Sequence, residues 1–511
     1  MFDFLLRKKK HEKVVVRSIY ERLVDEIDQN DGKVSDGFLL ETKNKNGVNF
    51  SLGTLEGVSR HHSSGFSKSD GSCFKLVKRL LGMPKEAALS LFEQDVADEF
   101  CMAAVRKEFY NEILSNKDKL SPDRVANLGY YFAFRGSRVE SVKLGLTLLG
   151  LLNIEMEEEI LKLLKVLGLY EEFTDYVTFI MRNWPENEKQ DIYFEFAKKL
   201  SGWGKISVVE DLVVNSEEKR NWILCYGCSN NISNSYLAGI CADKGMLEKV
   251  FRRGKLSKDE FAGATSIISG FVEDGPVKYV FDDEKNSRLL LLYLDEVAKH
   301  KMTLELASLL CNIITFFKNN HLSLYKKVEK IILNIFKNVD FDKILNDGIL
   351  VNTVDSINVA KFLEKDISLE LIKVIEKDFK KYYSYCYYFF DENKCIDEFF
   401  NLCDKYIKSD DYPNKMGSES GFGLIEGIDI RVDFIVERLN NLPNRGKKLI
   451  AICLNSPYIR WRNMAVFTLK SWVEILGKKL NCIDSELYNL VNEIYKIECN
   501  EYTKGELKKL L

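Results

Sequence analysis

Proline breaks helix interiors because it lacks the amide hydrogen and its ring clashes with the preceding turn. This chain has 7 prolines in 511 residues, where average usage is about 5%. Long stretches are therefore free to run as helix. A low-proline codon bias would lower the count as well, so the periodicity of the apolar residues carries the argument. From Phe74 almost to the end, apolar residues recur at helical spacing. Short punctuators separate the segments: Gly82, Ser121-Pro122, Gly136, Pro185, Gly202, Asn230-Asn231, Gly245, Gly275-Pro276 and Asn319-Asn320. Segments of about 12–18 residues match ordinary helices joined by tight turns.

Before Phe74 the pattern differs. Val15, Ile19, Leu23 and Ile27 predict one amphipathic helix over 11–28. Gly37 to Gly53 has strand-like residues around Asn46-Gly47, the signal of a type I′ hairpin. Ser63-Ser64-Gly65 through Gly71-Ser72 predicts a loop.

The helical part shows self-similarity. Arg182-Asn183-Trp184 recurs 38 residues on as Arg220-Asn221-Trp222, and Ala197 and Gly204 correspond to Ala238 and Gly245. A helix-turn-helix unit of roughly 34–47 residues is the period of tetratricopeptide, HEAT and armadillo arrays. Arg462-x-x-Ala465-x-x-x-Leu469, after Ser456-Pro457, resembles the second helix of a HEAT repeat. Each helix pair of such an array leaves an apolar face that the next pair covers. The expected fold is all-α, a HEAT/armadillo-like α-solenoid of stacked helix pairs with a small hairpin-containing N-terminal segment. The expected divisions are 1–72, a repeat array over 73–408, a linker over 409–427 and further repeats over 428–511. The linker is placed by Asp410-Asp411-Tyr412-Pro413 and the glycines after it.

Hydrophobic residues make up 46% and charged residues 30%, the composition of a globular chain. The net charge of −3 argues against nucleic-acid binding, despite Phe251-Arg252-Arg253, Arg460-Trp461-Arg462 and the lysines of 377–381. The order of Met1-Phe2-Asp3-Phe4-Leu5-Leu6 before Arg7-Lys8-Lys9-Lys10 reverses that of a secretory signal. No apolar stretch reaches the roughly 18 residues of a membrane span. Twelve scattered cysteines, most in apolar runs such as Leu309-Leu310-Cys311, suit buried thiols of a cytoplasmic protein.

Few chemistries have the residues they need. The five histidines supply no Glu-x-x-His pair for a di-iron bundle. The adjacent His61-His62 read either as exposed side chains or as members of a metal or phosphate site. Cys225-Tyr226-Gly227-Cys228, with Cys241 following, lacks a fourth zinc ligand nearby and reads as buried cysteines or as a dithiol. Gly204-Lys205 lacks the upstream glycine and the Ser/Thr of a P-loop. Gly421-x-Gly423-x-x-x-Gly427 does not follow an apolar strand, as a dinucleotide fingerprint would. No haem, flavin or metal signature is present. Aromatics are the remaining signal. Tyr382 to Phe390 predicts a helix buried on all sides or an apolar slot that includes Tyr382 and Tyr385. Trp184, Trp203 and Trp222 fall 19 residues apart, as equivalent positions along one core ridge or one groove would. Tyr226 lies beside the third.

Arg182-Asn183-Trp184, Ser201-Gly-Trp-Gly-Lys-Ile-Ser-Val-Val-Glu-Asp-Leu212 and Tyr236-Leu-Ala-Gly-Ile-Cys-Ala242 resemble bacillary and clostridial helical-repeat proteins that carry the name limonene hydroxylase. The resemblance implies NAD(P)H-dependent oxidation of the monoterpene limonene to perillyl alcohol and carveol, with further oxidation to perillyl aldehyde and carvone. It transfers no catalytic residue. Read from the residues alone, the chain is a solenoid scaffold that binds a protein or peptide on its concave face.

Overall fold

The computed structural model describes residues 17–35, 37–40, 50–62, 71–281, 284–423, 425 and 427–511. The expected hairpin at Asn46-Gly47, the basic N-terminus and most of the Ser/Gly-rich stretch lie outside these residues, as does the first part of the helix expected over 11–28. Its described part is Ile19–Gln29, opened by a capping box in which Ser18 and Glu21 bond each other's backbone.

The described residues are all-helical, with a single isolated bridge between Glu419 and Tyr458 and no strand. None of the described helices is long and apolar enough to cross a membrane. The punctuators act where the sequence places them. Pro122 starts the helix Pro122–Arg135, Gly202 precedes Trp203–Asp211, and Gly82 and Gly245 end helices. Packing divides the chain into two units, Met1–Lys43 with Ser51–Val280, and Asn44–Phe50 with Phe281–Leu511. Within each unit, helices pack mainly on near neighbours in the chain, as stacked pairs do.

The first unit is built around Val139–Gly150, in which every residue but Glu140 is buried. It meets Pro122–Arg135 at glycines: a Cβ on Gly145 would lie 2.5 Å from the Ala133 nitrogen and 2.7 Å from the Gly129 oxygen. Only a glycine permits that approach. Lys143 on the same helix is 2% exposed. Its ammonium meets Glu56 at 2.7 Å, Glu172 at 2.6 Å and Glu140 at 3.6 Å. Glu140 also accepts from the Met102 amide at 2.7 Å. One cation thus ties together the helices Thr54–His61, Met102–Ser115, Val139–Gly150 and Glu171–Met181.

In the second unit, Arg462, Ala465 and Leu469 of the helix Ile459–Leu476 are all fully buried. Arg462 pairs with Glu498 through two bonds of 2.6 and 2.9 Å. It also donates to the carbonyls of Ser456 (2.8 Å) and Gly417 (3.1 Å). The stretch expected as a linker over 409–427 is thus bound into this unit, since Arg431 also donates to the Gly421 and Gly423 carbonyls. The aromatic run at 379–392 is three short helices, not one. Tyr383, Tyr388 and Phe389 enter the core, whereas Tyr382, Tyr385 and Tyr387 are half-exposed.

Removing one member of a buried ion pair strands the other charge, at a cost of about 3–5 kcal/mol. Arg462→Ala is therefore expected to lower the unfolding free energy by that order, read as a lower urea midpoint at unchanged m-value. The double change Arg462→Met with Glu498→Leu, which leaves no stranded charge, restores most of the loss.

Candidate functional site

The helix Trp203–Asp211 organises the site in the first unit, and charge holds it at both ends. At its N-terminus the Glu171 carboxylate accepts from the amides of Ser201 (2.9 Å), Gly202 (2.7 Å) and Gly204. Gly204 must lack a Cβ, which would sit 2.6 Å from the Thr174 hydroxyl. At its C-terminus the Lys244 ammonium donates to the carbonyls of Val209 (3.1 Å), Glu210 (2.8 Å) and Leu212 (2.8 Å). Both arrangements follow the helix dipole, which favours anions at the first turn and cations at the last.

Glu210 and Asp211 lie at the end where the dipole disfavours carboxylates. Arg60 compensates from the helix Thr54–His61. Its three guanidinium nitrogens meet Asp175 at 3.0 Å, Glu210 at 3.1 Å and Asp211 at 3.0 Å. Arg106, stacked 4.4 Å from the Tyr176 ring centre, takes the other Asp175 oxygen. Burial pushes the Asp175 carboxyl up, but the Arg106 and Arg60 guanidiniums outweigh it and hold it below the usual range. Glu210 balances the other way. Burial, helped by Asp211, outweighs Arg60 and Lys244, and the carboxyl rises to about 7.

Beside Glu210 lies His61, its Nε2 3.6 Å from the carboxylate. That nitrogen is buried and has no hydrogen-bond partner. Burial, then Arg60 and His62, push the imidazole below its usual value. The His61 ring stacks on Trp203 and touches Tyr236, while His62 Nε2 meets the Tyr236 hydroxyl at 2.7 Å. Trp203 in turn lies flat on Gly57, where a Cβ would be 2.0 Å from the indole. The His61-His62 pair is therefore part of a packed polar cluster. Among the described residues, no group of three or more His, Cys, Asp or Glu side chains is placed to hold a metal ion.

Arg60, Arg106 and Asp175 also line a cleft of about 560 Å³. Phe179, Arg182 and Lys189 line it as well, with the Arg106 guanidinium 5.4 Å from the Phe179 ring centre. Lys189 pairs with Glu186 at 2.8 Å. Arg182 lies over the Phe179 ring, 4.1 Å from its centre, and donates to the Phe179 carbonyl at 2.6 Å. Of the four cations lining the cleft, Arg182 alone has no carboxylate partner among the described residues.

The aromatic candidates do not converge. Trp184 is buried, with its indole N–H on the Ile154 carbonyl at 2.8 Å. Trp203 belongs to the His61 cluster. Trp222 is half-buried, edge-on to Phe194. No ring contact joins the three among the described residues; Trp184 and Trp203 are buried in the core, as the core reading of their spacing expects. Tyr226 is 48% exposed and donates to Asp259 at 2.7 Å. Tyr382 and Tyr385 stack on each other at 6.0 Å in the second unit. In the CxxC, the Cys228 thiol faces the carbonyls of Ser266 (3.5 Å) and Asn234 (3.6 Å) as a donor, while Cys225 sits half-buried near Glu260 and Asp259. Lys205, lowered by burial, donates to the carbonyls of Tyr226 (3.0 Å) and Ser229 (2.5 Å) and so closes the π-helix Ile223–Gly227.

A dinucleotide pyrophosphate needs free amides at a glycine-lined helix N-terminus. The nest of this kind at Ser201–Gly204 is filled by Glu171, and the helix that opens beside the cleft, Glu186–Lys199, carries Glu186 and Glu188 in its first turn. The described residues of this site do not fit NAD(P)H. Comparison with protein-family models, with curated proteins and with solved structures finds no match for this chain.

Glu210 binds its proton more tightly in the fold than its ordinary value of 4.5 would allow. Its contribution is therefore fully present below about 4.5 and is lost as pH rises through about 7, above which it stays level. His61, lowered from 6.5, acts oppositely: its stabilisation is present above 6.5 and is lost as pH falls below it. Thermal melts are expected to show a Glu210 contribution to Tm that declines between about pH 5 and about 7.5 and is level above it. Glu210→Gln should flatten that decline and raise Tm at pH 8.5 by roughly 2–4 °C, the shift given by about 1 kcal/mol in a unit of this size once solvent screening is allowed for.

Proposed function

We propose that this protein is a helical-repeat binding protein whose cleft in the first unit takes a peptide segment bearing carboxylates. The observation that carries this reading is Arg182: a guanidinium seated over the Phe179 ring, lining a cleft and lacking a carboxylate partner among the described residues. That contact restrains the planar fork, so less freedom is lost when a carboxylate binds it. Arg60 and Arg106 lie on the same cleft surface, already oriented by Asp175. Such preorganised cations favour an anionic group over a neutral one.

The monoterpene oxidation implied by the resemblance calls for apolar walls around the ligand. This cleft has apolar lining at Ala103, Phe179 and Val213 but also the ion network of Arg60, Arg106, Asp175 and Asp211, and covering those charges with a hydrocarbon would desolvate them without replacing their water. The peptide reading is therefore the one the geometry favours.

Fluorescence anisotropy of a labelled hexaglutamate peptide tests it. Binding is expected to weaken as salt rises, and Arg182→Glu should weaken it at least tenfold, about 1.4 kcal/mol. A hexaglutamine peptide should bind far more weakly. Equal binding of both peptides, or of neither, would overturn the reading. So would perillyl alcohol or carveol above a boiled control when the protein is given limonene, air and NADH or NADPH.

A further inference from the structure

We infer that a carboxylate entering this cleft is received at Arg60 in place of Asp211, and that its arrival drives one proton from solvent onto Glu210. The inference rests on the peptide-binding reading above and adds how the site accepts charge. All three nitrogens of Arg60 are engaged, so a new anion must replace or share a partner. The three partners are not equivalent. The Asp175 side chain is 17% exposed and is also held by Arg106, and Glu210 is likewise 17% exposed. Asp211 is 44% exposed, lines the cleft, and has no second cation bonded to its carboxylate among the described residues. It is the partner that gives way.

The replaced Asp211 and the incoming carboxylate then place two negative charges near Glu210, where one stood before. Like charge at short range favours the neutral form of a carboxyl. Glu210 is the group able to respond near neutral pH, because burial, helped by the Asp211 charge, has already brought its carboxyl to about 7.

The surrounding groups bear this out from every element packed against the helix Trp203–Asp211. From Thr54–His61 come Arg60, raised and permanently charged, and His61, lowered and therefore neutral above pH 7. From Glu171–Met181 comes Asp175, held ionised by Arg106 and Arg60. From Glu186–Lys199 come the uncharged Gln190, bonded to the Asp211 carbonyl, the Tyr193 phenol, pushed up by burial, and the Glu186–Lys189 ion pair lining the cleft. The turn Asn234–Tyr236 contributes the Tyr236 phenol, raised by burial. The helix Ala238–Lys244 contributes Lys244, whose ammonium is bound to three carbonyls. Between pH 7 and 8.5, Glu210 is the carboxyl of this cluster poised to change charge.

Isothermal titration calorimetry of the full chain with hexaglutamate, at pH 8 in HEPES and in Tris, reads the proton directly. The peptide's own side chains are fully ionised there and release or take up none. Roughly half to one proton should be taken up per peptide bound, and the affinity should fall about three- to tenfold from pH 7.5 to 8.5. Glu210→Gln, which keeps shape and hydrogen bonding, should still bind the peptide but with no uptake and no pH dependence. His61→Gln should retain both. Binding with equal enthalpy in the two buffers, or uptake that persists in Glu210→Gln, would overturn the inference while leaving the peptide-binding reading intact. Absence of any binding would overturn that reading, and the inference with it.

Discussion

A nine-residue helix with an anion at its head and a cation at its tail is the element on which the site depends. Glu171 fills the amide nest before Trp203, and Lys244 gathers the carbonyls after Val209. With side chains bonded to three amides at its head and three carbonyls at its tail, the helix can be buried along nearly its whole length. What the capping cannot satisfy is the pair of carboxylates at Glu210 and Asp211. Those two draw Arg60 in, and Arg60 brings the helix Thr54–His61 with it. The ion network lining the cleft is thus a consequence of misplaced negative charge at a helix C-terminus.

The same logic recurs through the molecule at different depths. Lys143, shared by Glu56, Glu172 and Glu140, joins four helices of the first unit. Arg462 on Glu498 joins the last helices of the second to the stretch containing Gly417. Buried charges of this kind contribute little net stability against an apolar replacement. They do penalise any alternative arrangement in which one partner is stranded. In stacked helix pairs with similar apolar faces, that penalty favours one register over its neighbours. The stretch quoted for the family resemblance, Ser201 to Leu212, coincides with the doubly capped helix, and Tyr236 to Ala242 covers part of the elements that supply Tyr236 and Lys244.

Some of this was legible from the residues. Proline scarcity and the turn punctuators located helices and their ends, since those signals act within a few residues of themselves. The helix carrying Arg462, Ala465 and Leu469 was readable as repeat-like, but the full burial of Arg462 was not, since a charge in that run reads as a solvated face. Trp203 and His61-His62 were singled out, but not as partners. Arg60, Asp175 and Glu210 carry the site and gave no motif at all. They lie up to 150 positions apart, and each looks like an ordinary surface charge in its own segment. The tryptophan spacing located two core side chains, Trp184 and Trp203, without showing what each of them packs against.

The sequence by itself determined an all-helical chain, the positions of most helix ends and a composition suited to a globular protein, because propensity, capping and periodicity are local properties. Tertiary structure alone decided which charges meet. Whether a carboxylate titrates near 4.5 or near 7, and whether a guanidinium is spent on a neighbour or left lining a cleft, depends on burial and on partners distant in the chain. Coulomb energy falls off with distance through space and is strengthened where water is excluded, and neither quantity is written in the order of the residues.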